Sequence, residues 1–224
     1  MNSFSVGIQS RALSKRLPNK NFFNLGSLYL CEWSINQSKV YFPKSQIYLL
    51  VPNDKYFPIF EEIAKSNNIN ILKGDEFDVL SRYEDLAKKV NSDFIVRWTG
   101  DNPIKCEFAM EKLLKNVENN FDYICYEGLR KTAVEIISRS TLINIRNSEY
   151  YSDKCSEHVT WGLRNKSNLN KLILKPDNEL TQRSNDQLLS IDTIDDFVRV
   201  NKFIEKNNIK PKQKNKIINK LSFY

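Results

Sequence analysis

The residues best suited to chemistry lie in a basic stretch near the start of the chain. An apolar run, Phe4–Ile8, precedes the stretch and is typical of a buried strand. The stretch then holds four cations with serine and asparagine side chains between them: Arg11, Lys15, Arg16 and Lys20. A loop with backbone N–H groups, hydroxyls and basic side chains offers the point charges and directional donors that a polyphosphate needs. The alternative, a solvated basic turn in a lysine-rich protein, stays open on charge alone.

Asp101 stands where an open α/β sheet binds its ligands. It belongs to the run Thr99-Gly100-Asp101-Asn102-Pro103, which follows the apolar segment Phe94–Trp98. That position is the carboxyl end of an expected central strand. A carboxylate beside a glycine there is a candidate ligand for Mg²⁺, which prefers hard oxygen ligands. The alternative is a simple turn, since Gly-Asp-Asn-Pro is also good turn chemistry.

Three more residues are candidates, each with a plain structural alternative. Asp192 ends the apolar segment Leu188–Ile191, but it also precedes an expected helix that it or its neighbour would cap. Arg82 lies in a segment that reads equally well as an amphipathic helix with a solvated arginine. His158 is the only histidine, and a lone histidine is more often structural than catalytic.

The opening basic stretch resembles the first motif of the cytidylyltransferases that activate acidic sugars, most closely the SpsF-like branch of spore-coat polysaccharide synthesis. That motif reads roughly Gln-Ala-Arg-x-Gly-Ser-x-Arg-Leu-Pro-Gly-Lys. The chain matches it in register at Gln9, Arg11, Ser14, Arg16, Leu17, Pro18 and Lys20. Ser10, Leu13 and Asn19 depart from it. Leu13 replaces a glycine that would allow close backbone approach to phosphate, whereas Asn19 tolerates the left-handed region.

Later segments match motifs of the same family in the same order. Gly74–Tyr83 resembles Gly-x-x-x-Asp-Val-Leu-x-Arg-Tyr, and Arg97–Pro103 resembles Arg-x-Thr-Gly-Asp-x-Pro. Glu157–Thr160 matches Glu-His-Val-Thr, and Ser190–Phe197 resembles Val-Asp-Thr-x-x-Asp. The pair Val134-Glu135 resembles part of an Asp-Val-Glu-Val-Phe element in which Ala133 replaces the aspartate. That replacement leaves the identity of the acceptor open.

The resemblance implies a Mg²⁺-dependent transfer of CMP from CTP to an acidic sugar or related surface-polysaccharide precursor, with release of pyrophosphate. It implies that Asp101 and Asp192 hold the Mg²⁺ and that Glu135 and His158 face the acceptor. The implied catalytic cations are Arg11, Arg16 and Lys20. The implied nucleotide-binding residues are Gln9, Arg11, Ser14, Arg16, Lys20, Arg82, Thr99 and Gly100. A homodimer is a further family expectation, although no interface is visible in the sequence.

Segments typical of strands and helices alternate along the chain and indicate parallel βαβ units. Together with the resemblance, they predict a single Rossmann-like nucleotidyltransferase domain of the α/β class over residues 1–207. Its sheet is expected to be mostly parallel with helices on both faces, followed by a basic C-terminal tail over residues 208–224. The expected strands after the first are 46–51, 69–72, 94–98, 121–126, 134–137, 169–174 and 188–191. The expected helices are 25–37, 56–67, 78–90, 107–119, 156–164 and 194–206.

Composition excludes several other classes of protein. The net charge is +7, but much of this excess lies in the tail after Asn207 and no usual nucleic-acid-binding motif occurs, so no nucleic-acid partner is expected. No run of about 18 apolar residues exists, so no membrane span is expected. The four cysteines form no C-x-x-C pair, which favours free thiols in a reducing compartment and a cytoplasmic protein.

Two other functions remain as alternatives. Leu13 and Asn19 would suit a family member that binds nucleotide but has lost turnover. A glycosyltransferase that uses nucleotide sugars could share the scaffold, although the chain has no Asp-x-Asp motif after a strand.

Overall fold

The computed structural model describes residues 2–165, 168–175 and 186–217. Its strands are β1 Phe4–Gln9, β2 Asn24–Leu25, β3 Leu28–Tyr29, β4 Ile47–Pro52, β5 Asn70–Gly74, β6 Phe94–Thr99, β7 Tyr123–Tyr126, β8 Glu135–Ser138 and β9 Lys171–Leu174. Its α-helices are α1 Leu30–Ser38, α2 Phe57–Ser66, α3 Val79–Lys89, α4 Glu107–Lys115, α5 Arg139–Asn144, α6 Lys154–Glu157, α7 Trp161–Asn165 and α8 Ile194–Asn207.

The main sheet of the described residues has the strand order β5-β4-β1-β6-β8-β7-β9. All neighbouring strands run parallel except at β8, which is antiparallel to both β6 and β7. The predicted mixed, mostly parallel sheet is therefore confirmed. Because β1, β4, β5 and β6 are parallel, their carboxyl ends meet at one edge of the sheet. The loops that carry the candidate residues leave from this edge.

Helices cover both faces of the sheet, as predicted. On one face, α1, α2, α4 and α8 bury residues such as Trp33, Phe60 and Phe203. On the other face, α3 packs through Leu80 and Tyr83 with the short helices α5, α6 and α7. The apolar strands are buried between these two layers, as expected for a sheet covered on both sides. All four cysteines are buried free thiols.

Three predicted elements are wrong in detail. The first helix begins at Leu30 rather than Leu25, because β2 and β3 form a small hairpin around Gly26, which has a φ of 63°. The segment 188–191 is not a strand; a 3₁₀ turn over Asp186–Leu189 leads directly into the loop before α8. The helix expected over 156–164 is two short helices, α6 and α7, with a break at 158–160.

The described part of the C-terminal segment packs against the domain. Ile209 and Ile217 are buried in the main core. The Gln37 side-chain Nε2 donates to the carbonyl oxygen of Pro211 at 2.8 Å and of Gln213 at 3.0 Å. Asn215 is buried and donates from Nδ2 to Gln37 Oε1 at 3.0 Å. Nowhere in residues 2–165, 168–175 and 186–217 is a helix long and apolar enough to cross a membrane.

Candidate functional site

The loop after β1 folds around the buried methyl group of Ala12. The carbonyl of Ala12 accepts hydrogen bonds from the backbone N–H groups of Ser14 at 3.0 Å and Asn19 at 2.8 Å. Asn19 has a φ of 60°, the left-handed conformation that an asparagine tolerates. Leu13, which stands where the family motif has glycine, turns its side chain outward and is 41% exposed. The loop therefore closes without a glycine at either position.

Gly100 lies underneath this loop rather than in the cleft wall. Its backbone N–H donates to the carbonyl of Gln9 at 2.9 Å. A Cβ atom at Gly100 would collide with Ser10 Oγ and lie 3.0 Å from the Gln9 carbonyl oxygen. Its lack of a side chain lets the loops after β1 and β6 touch, and it places Asp101 beside the basic stretch.

Lys20 lies between the two candidate metal ligands. Its buried ammonium donates to Asp101 Oδ2 at 2.9 Å, to Asp192 Oδ1 at 3.0 Å and to the carbonyl oxygen of Ile191 at 2.7 Å. These three acceptors satisfy all three donors of the ammonium. Burial acts to raise the pKa of Asp101, but the Lys20 charge outweighs it and lowers that pKa. We name Lys20, Asp101 and Asp192 the acidic cluster.

The other cations of the loop face the open side of the same cleft. Arg16 Nη2 lies 2.9 Å from Asp192 Oδ1, and its side chain is 66% exposed. Arg11 Nη2 lies 3.5 Å from Glu157 Oε1, a loose contact between partly exposed groups. Ser14 and Lys15 also line the cleft. Ion pairs of exposed or partly exposed arginines contribute little to stability, so both side chains can reorient toward a ligand.

Arg82 is buried, so the solvated alternative for this residue is wrong. Its Nη1 donates to the carbonyl oxygens of Leu50 at 3.1 Å and Ser10 at 3.3 Å, while Nε is buried with no partner among the described residues. Burial lowers the pKa of Arg82 to about 10, which leaves it charged at neutral pH. Its guanidinium therefore ties the carboxyl ends of β1 and β4 together at the cleft wall.

Glu135, at the start of β8, is enclosed by donors. Arg97 Nη1 lies 2.5 Å from Oε2, and Arg164 donates through Nε to Oε1 at 2.8 Å and through Nη2 to Oε2 at 2.9 Å. The hydroxyls of Thr160 and Tyr123 donate to the same carboxylate. Burial acts to raise the pKa of Glu135, but the two arginines bring it down to about 2. We name Glu135, Arg97 and Arg164 the basic cluster.

His158 and Thr99 complete the residues predicted from the sequence. His158 is exposed, and its ring centroid lies 6.4 Å from that of Trp161. Thr99, the last residue of β6, accepts a hydrogen bond on Oγ1 from Asn102 Nδ2. Both residues line the cleft.

One cleft of about 670 Å³ brings these groups together. Every site residue predicted from the sequence lines it except Gly100. Their individual roles remain predictions. Among the described lining residues, ten are lysine or arginine and four are aspartate or glutamate. The cleft therefore carries positive charge and suits an anionic ligand.

Several lining residues were not predicted from the sequence: Asn21, Lys105, Arg130, Lys131 and Arg164. Lys105 is buried, donates from Nζ to the Lys131 carbonyl at 2.9 Å and lies 4.9 Å from the Trp98 ring. Nothing in the sequence around Lys105 indicates that it lines the cleft. Arg97 also lines the cleft, and the sequence could have indicated this, because alternation along a strand puts its side chain on the same face as that of Thr99.

Comparison with known proteins identifies the family. The profile of a cytidylyltransferase family matches residues 6–221. The chain belongs to the cytidylyltransferase family. It is therefore an enzyme of the nucleotidyltransferase class, and the predicted resemblance is confirmed.

Individual relatives cover most of the chain. The uncharacterized protein MJ1063 of Methanocaldococcus jannaschii is 32% identical over 196 residues, which is 85% of this chain and 78% of that protein. The spore coat polysaccharide biosynthesis protein SpsF of Bacillus subtilis is 27% identical over 218 residues, 94% of this chain and 90% of its own. A cytidylyltransferase structure from Leptospira borgpetersenii shares 22% identity, with a TM-score of 0.80 over 95% of this chain and 90% of that one. The fold is thus the one that this family uses.

Proposed function

We propose that this cytidylyltransferase transfers CMP from CTP to an acidic sugar or related surface-polysaccharide precursor and releases pyrophosphate. The observation that carries the proposal is the acidic cluster. It lies at the carboxyl edge of the sheet, directly beside a loop with four cations. This arrangement offers both the carboxylates for a metal and the positive charge for a triphosphate.

The acidic cluster has a donor set that fits Mg²⁺. Lys20 contacts only one oxygen of each carboxylate, Oδ2 of Asp101 and Oδ1 of Asp192. The side chains of Asp101 and Asp192 are 31% and 24% exposed, so a hydrated ion can reach their other oxygens. No group of three or more His, Cys, Asp or Glu side chains that could hold a metal ion occurs in the part of the chain that the structure describes. Magnesium suits such a site, because it commonly binds through one or two carboxylates plus substrate phosphates.

When bound there, Mg²⁺ would neutralise charge at the reacting phosphate. The chain's own cations would stabilise the remaining negative charge. Arg11 and Arg16, whose ion pairs are open to solvent, would turn to the phosphates and stabilise the charge that develops on pyrophosphate. Lys20 would hold the two carboxylates in place, and it would reach a phosphate only by giving up one of its three present partners.

The nucleoside would lie between the carboxyl end of β1 and the first turn of α3. Gln9 Oε1 and Ser10 Oγ are buried there and have no hydrogen-bond partner in the described residues. Arg82 has an unpartnered Nε at the same place. Buried polar atoms normally find partners, so these three favour a polar ligand group such as a base or ribose. Thr99 is paired with Gln9 on the neighbouring strand β6 and lines the same cleft, which supports the same assignment.

A pyrophosphate-release assay tests the proposal. CTP, ATP, GTP and UTP are each incubated with Mg²⁺ and a panel of 3-deoxy-2-ulosonic acids, with neutral hexoses as the matched control. The proposal expects release with CTP and at least one acid, and none when Mg²⁺ is chelated. Release with a neutral hexose alone, or with another nucleotide in preference to CTP, would contradict it. CTP binding without turnover with any acceptor would favour a family member that has lost catalysis.

A further inference from the structure

Arg82 lies across the carboxyl edge of the sheet rather than along its own helix. It belongs to α3, which Asp78 caps by accepting from the Ser81 backbone N–H on Oδ1 at 3.0 Å. Asp78 and Arg82 are four residues apart, the spacing at which an aspartate and an arginine pair on a helix. Within the described residues no such pair forms, and Arg82 donates instead to the carbonyl oxygens of Leu50 and Ser10.

The end of β5 leaves room for this conformation of Arg82. A Cβ atom at Gly74 would lie 2.7 Å from Cγ and 3.5 Å from Cδ of Arg82, so the side chain passes directly over the Gly74 backbone. Its Nη1 donates to both carbonyl oxygens, its Nε is buried without a partner in the described residues, and its Nη2 makes no hydrogen bond with them. Because Arg82 lines the cleft, these two nitrogens are left for a ligand.

Arg146 holds the other oxygen of the Asp78 carboxylate. It lies outside α3, in the 3₁₀ turn that follows α5. Its Nη2 donates to Asp78 Oδ2 at 2.6 Å and its Nε to Glu84 Oε2 at 2.7 Å. Its Nη1 donates to the Tyr151 hydroxyl at 3.3 Å, and the guanidinium lies 5.5 Å from the centre of that ring. Arg146 is thus fixed in a position where it occupies Asp78.

Without Arg146, the Asp78 carboxylate would be a strong acceptor within reach of Arg82. A hydrogen bond to an ionised acceptor is roughly twice as strong as one between neutral groups. Burial lowers the pKa of Arg82 to about 10, and the charge of Asp78 is among those that act to raise it, so the two groups already attract each other. Pairing along the helix would turn the Arg82 guanidinium away from the sheet edge.

We propose that Arg146 is a positioning residue of the nucleotide site: by holding Asp78, it keeps Arg82 at the carboxyl edge of the sheet, where Arg82 donates to the nucleoside of CTP. Arg146 does not itself line the cleft, and it acts only through α3. This inference rests on the proposed function, since it requires that CTP binds in the cleft.

The test compares CTP with inorganic tripolyphosphate, which has the phosphates but no nucleoside. Calorimetry gives the Kd of each with Mg²⁺ and without an acceptor. The side chain of Arg146 is 33% exposed, so Arg146→Gln is expected to fold. In this variant CTP binding should weaken by about tenfold or more, because a hydrogen bond from a charged group is lost. Tripolyphosphate binding should change by less than about threefold, as the loop cations and the acidic cluster are untouched.

A second change should restore CTP binding in that variant. Asp78→Asn keeps a side-chain oxygen that caps α3, but it removes the charge that would attract Arg82. The double variant Arg146→Gln with Asp78→Asn should therefore bind CTP with a Kd within about threefold of the wild-type value. A merely structural role of Arg146 predicts no such rescue, since the double variant has lost both charges of the same ion pair.

Arg139→Gln is the matched control. Arg139 also connects a neighbouring helix to α3, because its Nε donates to the Ala87 carbonyl oxygen at 2.7 Å. It contacts neither Asp78 nor Arg82. Its loss should therefore weaken CTP binding by less than about threefold, although it removes the same charge and a contact with the same helix.

Two binding results would overturn the inference: equal weakening of CTP and tripolyphosphate binding in Arg146→Gln, or no recovery of CTP binding in the double variant. A crystal structure of Arg146→Gln gives a test that needs no ligand. Arg82 paired with Asp78 would support the inference, whereas Arg82 still bonded to the Leu50 and Ser10 carbonyl oxygens would overturn it. Failure of the proposed function is distinguishable, since the wild-type protein itself would then bind no CTP.

Discussion

The acidic and basic clusters have the same arrangement of charges with opposite signs. In the first, a lysine ammonium lies between two carboxylates; in the second, a carboxylate lies between two guanidinium groups. Counting only these members, the first has a net charge of −1 and the second of +1. The first therefore favours a cation, and the second favours an anion. Under the proposed function, the first would bind the metal of a metal-bound triphosphate, and the second would face the acidic acceptor.

The clusters also differ in how they are buried. The carboxylates of the acidic cluster are about a quarter to a third exposed, whereas Glu135 is 6% exposed. Water and ions can thus reach the acidic cluster, while the basic cluster holds a fixed geometry. We expect changes in the first to act mainly on ligand binding and turnover, and changes in the second to act on stability as well.

The largest effect is expected for Asp101→Asn. The amide cannot supply the charge that a metal and Lys20 both need, so turnover should fall by about a thousandfold or more. Circular dichroism should show an unchanged fold. Asp195→Asn, an exposed acid in the first turn of α8, is the matched control and should keep near-normal turnover. Near-normal turnover of the Asp101 variant would contradict the assignment of Asp101 as a metal ligand.

Acid should destabilise the wild-type protein through Glu135. Its pKa in the folded state is about 2, below the ordinary value of 4.5. The ionised group therefore stabilises the fold above pH 4.5, and this contribution is lost as the pH falls from about 4.5 to about 2. It amounts to about 3 kcal/mol, because one pKa unit corresponds to about 1.4 kcal/mol.

Urea unfolding at pH 7 and pH 3 measures this contribution. The free energy of unfolding of Glu135→Gln should depend much less on pH than that of the wild-type protein. The exposed Glu118 offers a control, and Glu118→Gln should follow the wild-type pH dependence. The same pH dependence in all three proteins would contradict the charge assignment of the basic cluster.

Lys20→Met should lower the free energy of unfolding by about 2 kcal/mol, because it leaves two carboxylates facing each other without their shared cation. Millimolar Mg²⁺ should restore part of this loss, since the ion can replace the ammonium charge. Thermal unfolding with and without Mg²⁺ measures both effects. Lys15→Met removes a charge from the same loop that forms no ion pair with the described residues, and it should show neither effect. Equal responses of the two variants would show that Lys20 does not bridge the carboxylates.

The smallest effect concerns the loop backbone. Asn19→Ala should cost about 1 kcal/mol of stability, because alanine disfavours the left-handed conformation at this φ of 60°. Asn19→Gly should stay within about 0.5 kcal/mol of the wild-type protein, as glycine adopts this conformation readily. Chemical unfolding resolves the difference. A glycine variant as unstable as the alanine variant would mean that the asparagine side chain itself holds the loop.

The acidic cluster and the basic cluster were not equally predictable from the sequence. Lys20 and Asp101 each lie in a continuous motif, and a strand end places the second. The local pattern left plain turns as alternatives, and the resemblance of both motifs to the family favoured the predicted site. Asp192 was predicted from the resemblance, although its expected strand is a 3₁₀ turn. In the structure the backbone N–H of Ile191 donates to the Asp101 carbonyl at 3.1 Å, which places Asp192 beside Asp101.

The basic cluster depends on contacts that no local pattern reveals. Arg97 faces Glu135 only because β8 runs antiparallel beside β6, with those two residues directly paired. Arg164 reaches the same carboxylate because the chain breaks at 158–160 and starts a second short helix. Neither the direction of β8 nor this break follows from hydrophobic periodicity. The sequence therefore predicted Glu135 as a cleft residue, but it did not predict that Arg97 and Arg164 are its hydrogen-bond partners.

Thermal stabilisation by CTP, with and without Mg²⁺, is the most direct test of the central claim that the acidic cluster binds a metal-bound cytidine triphosphate. At about a hundred times its Kd, a ligand adds roughly 2.7 kcal/mol to stability. We predict stabilisation of this order by CTP with Mg²⁺, a much smaller effect without Mg²⁺ or with ATP, GTP or UTP, and loss of the Mg²⁺ dependence in Asp101→Asn. No response to any triphosphate, or the same Mg²⁺ dependence in that variant, would contradict the claim.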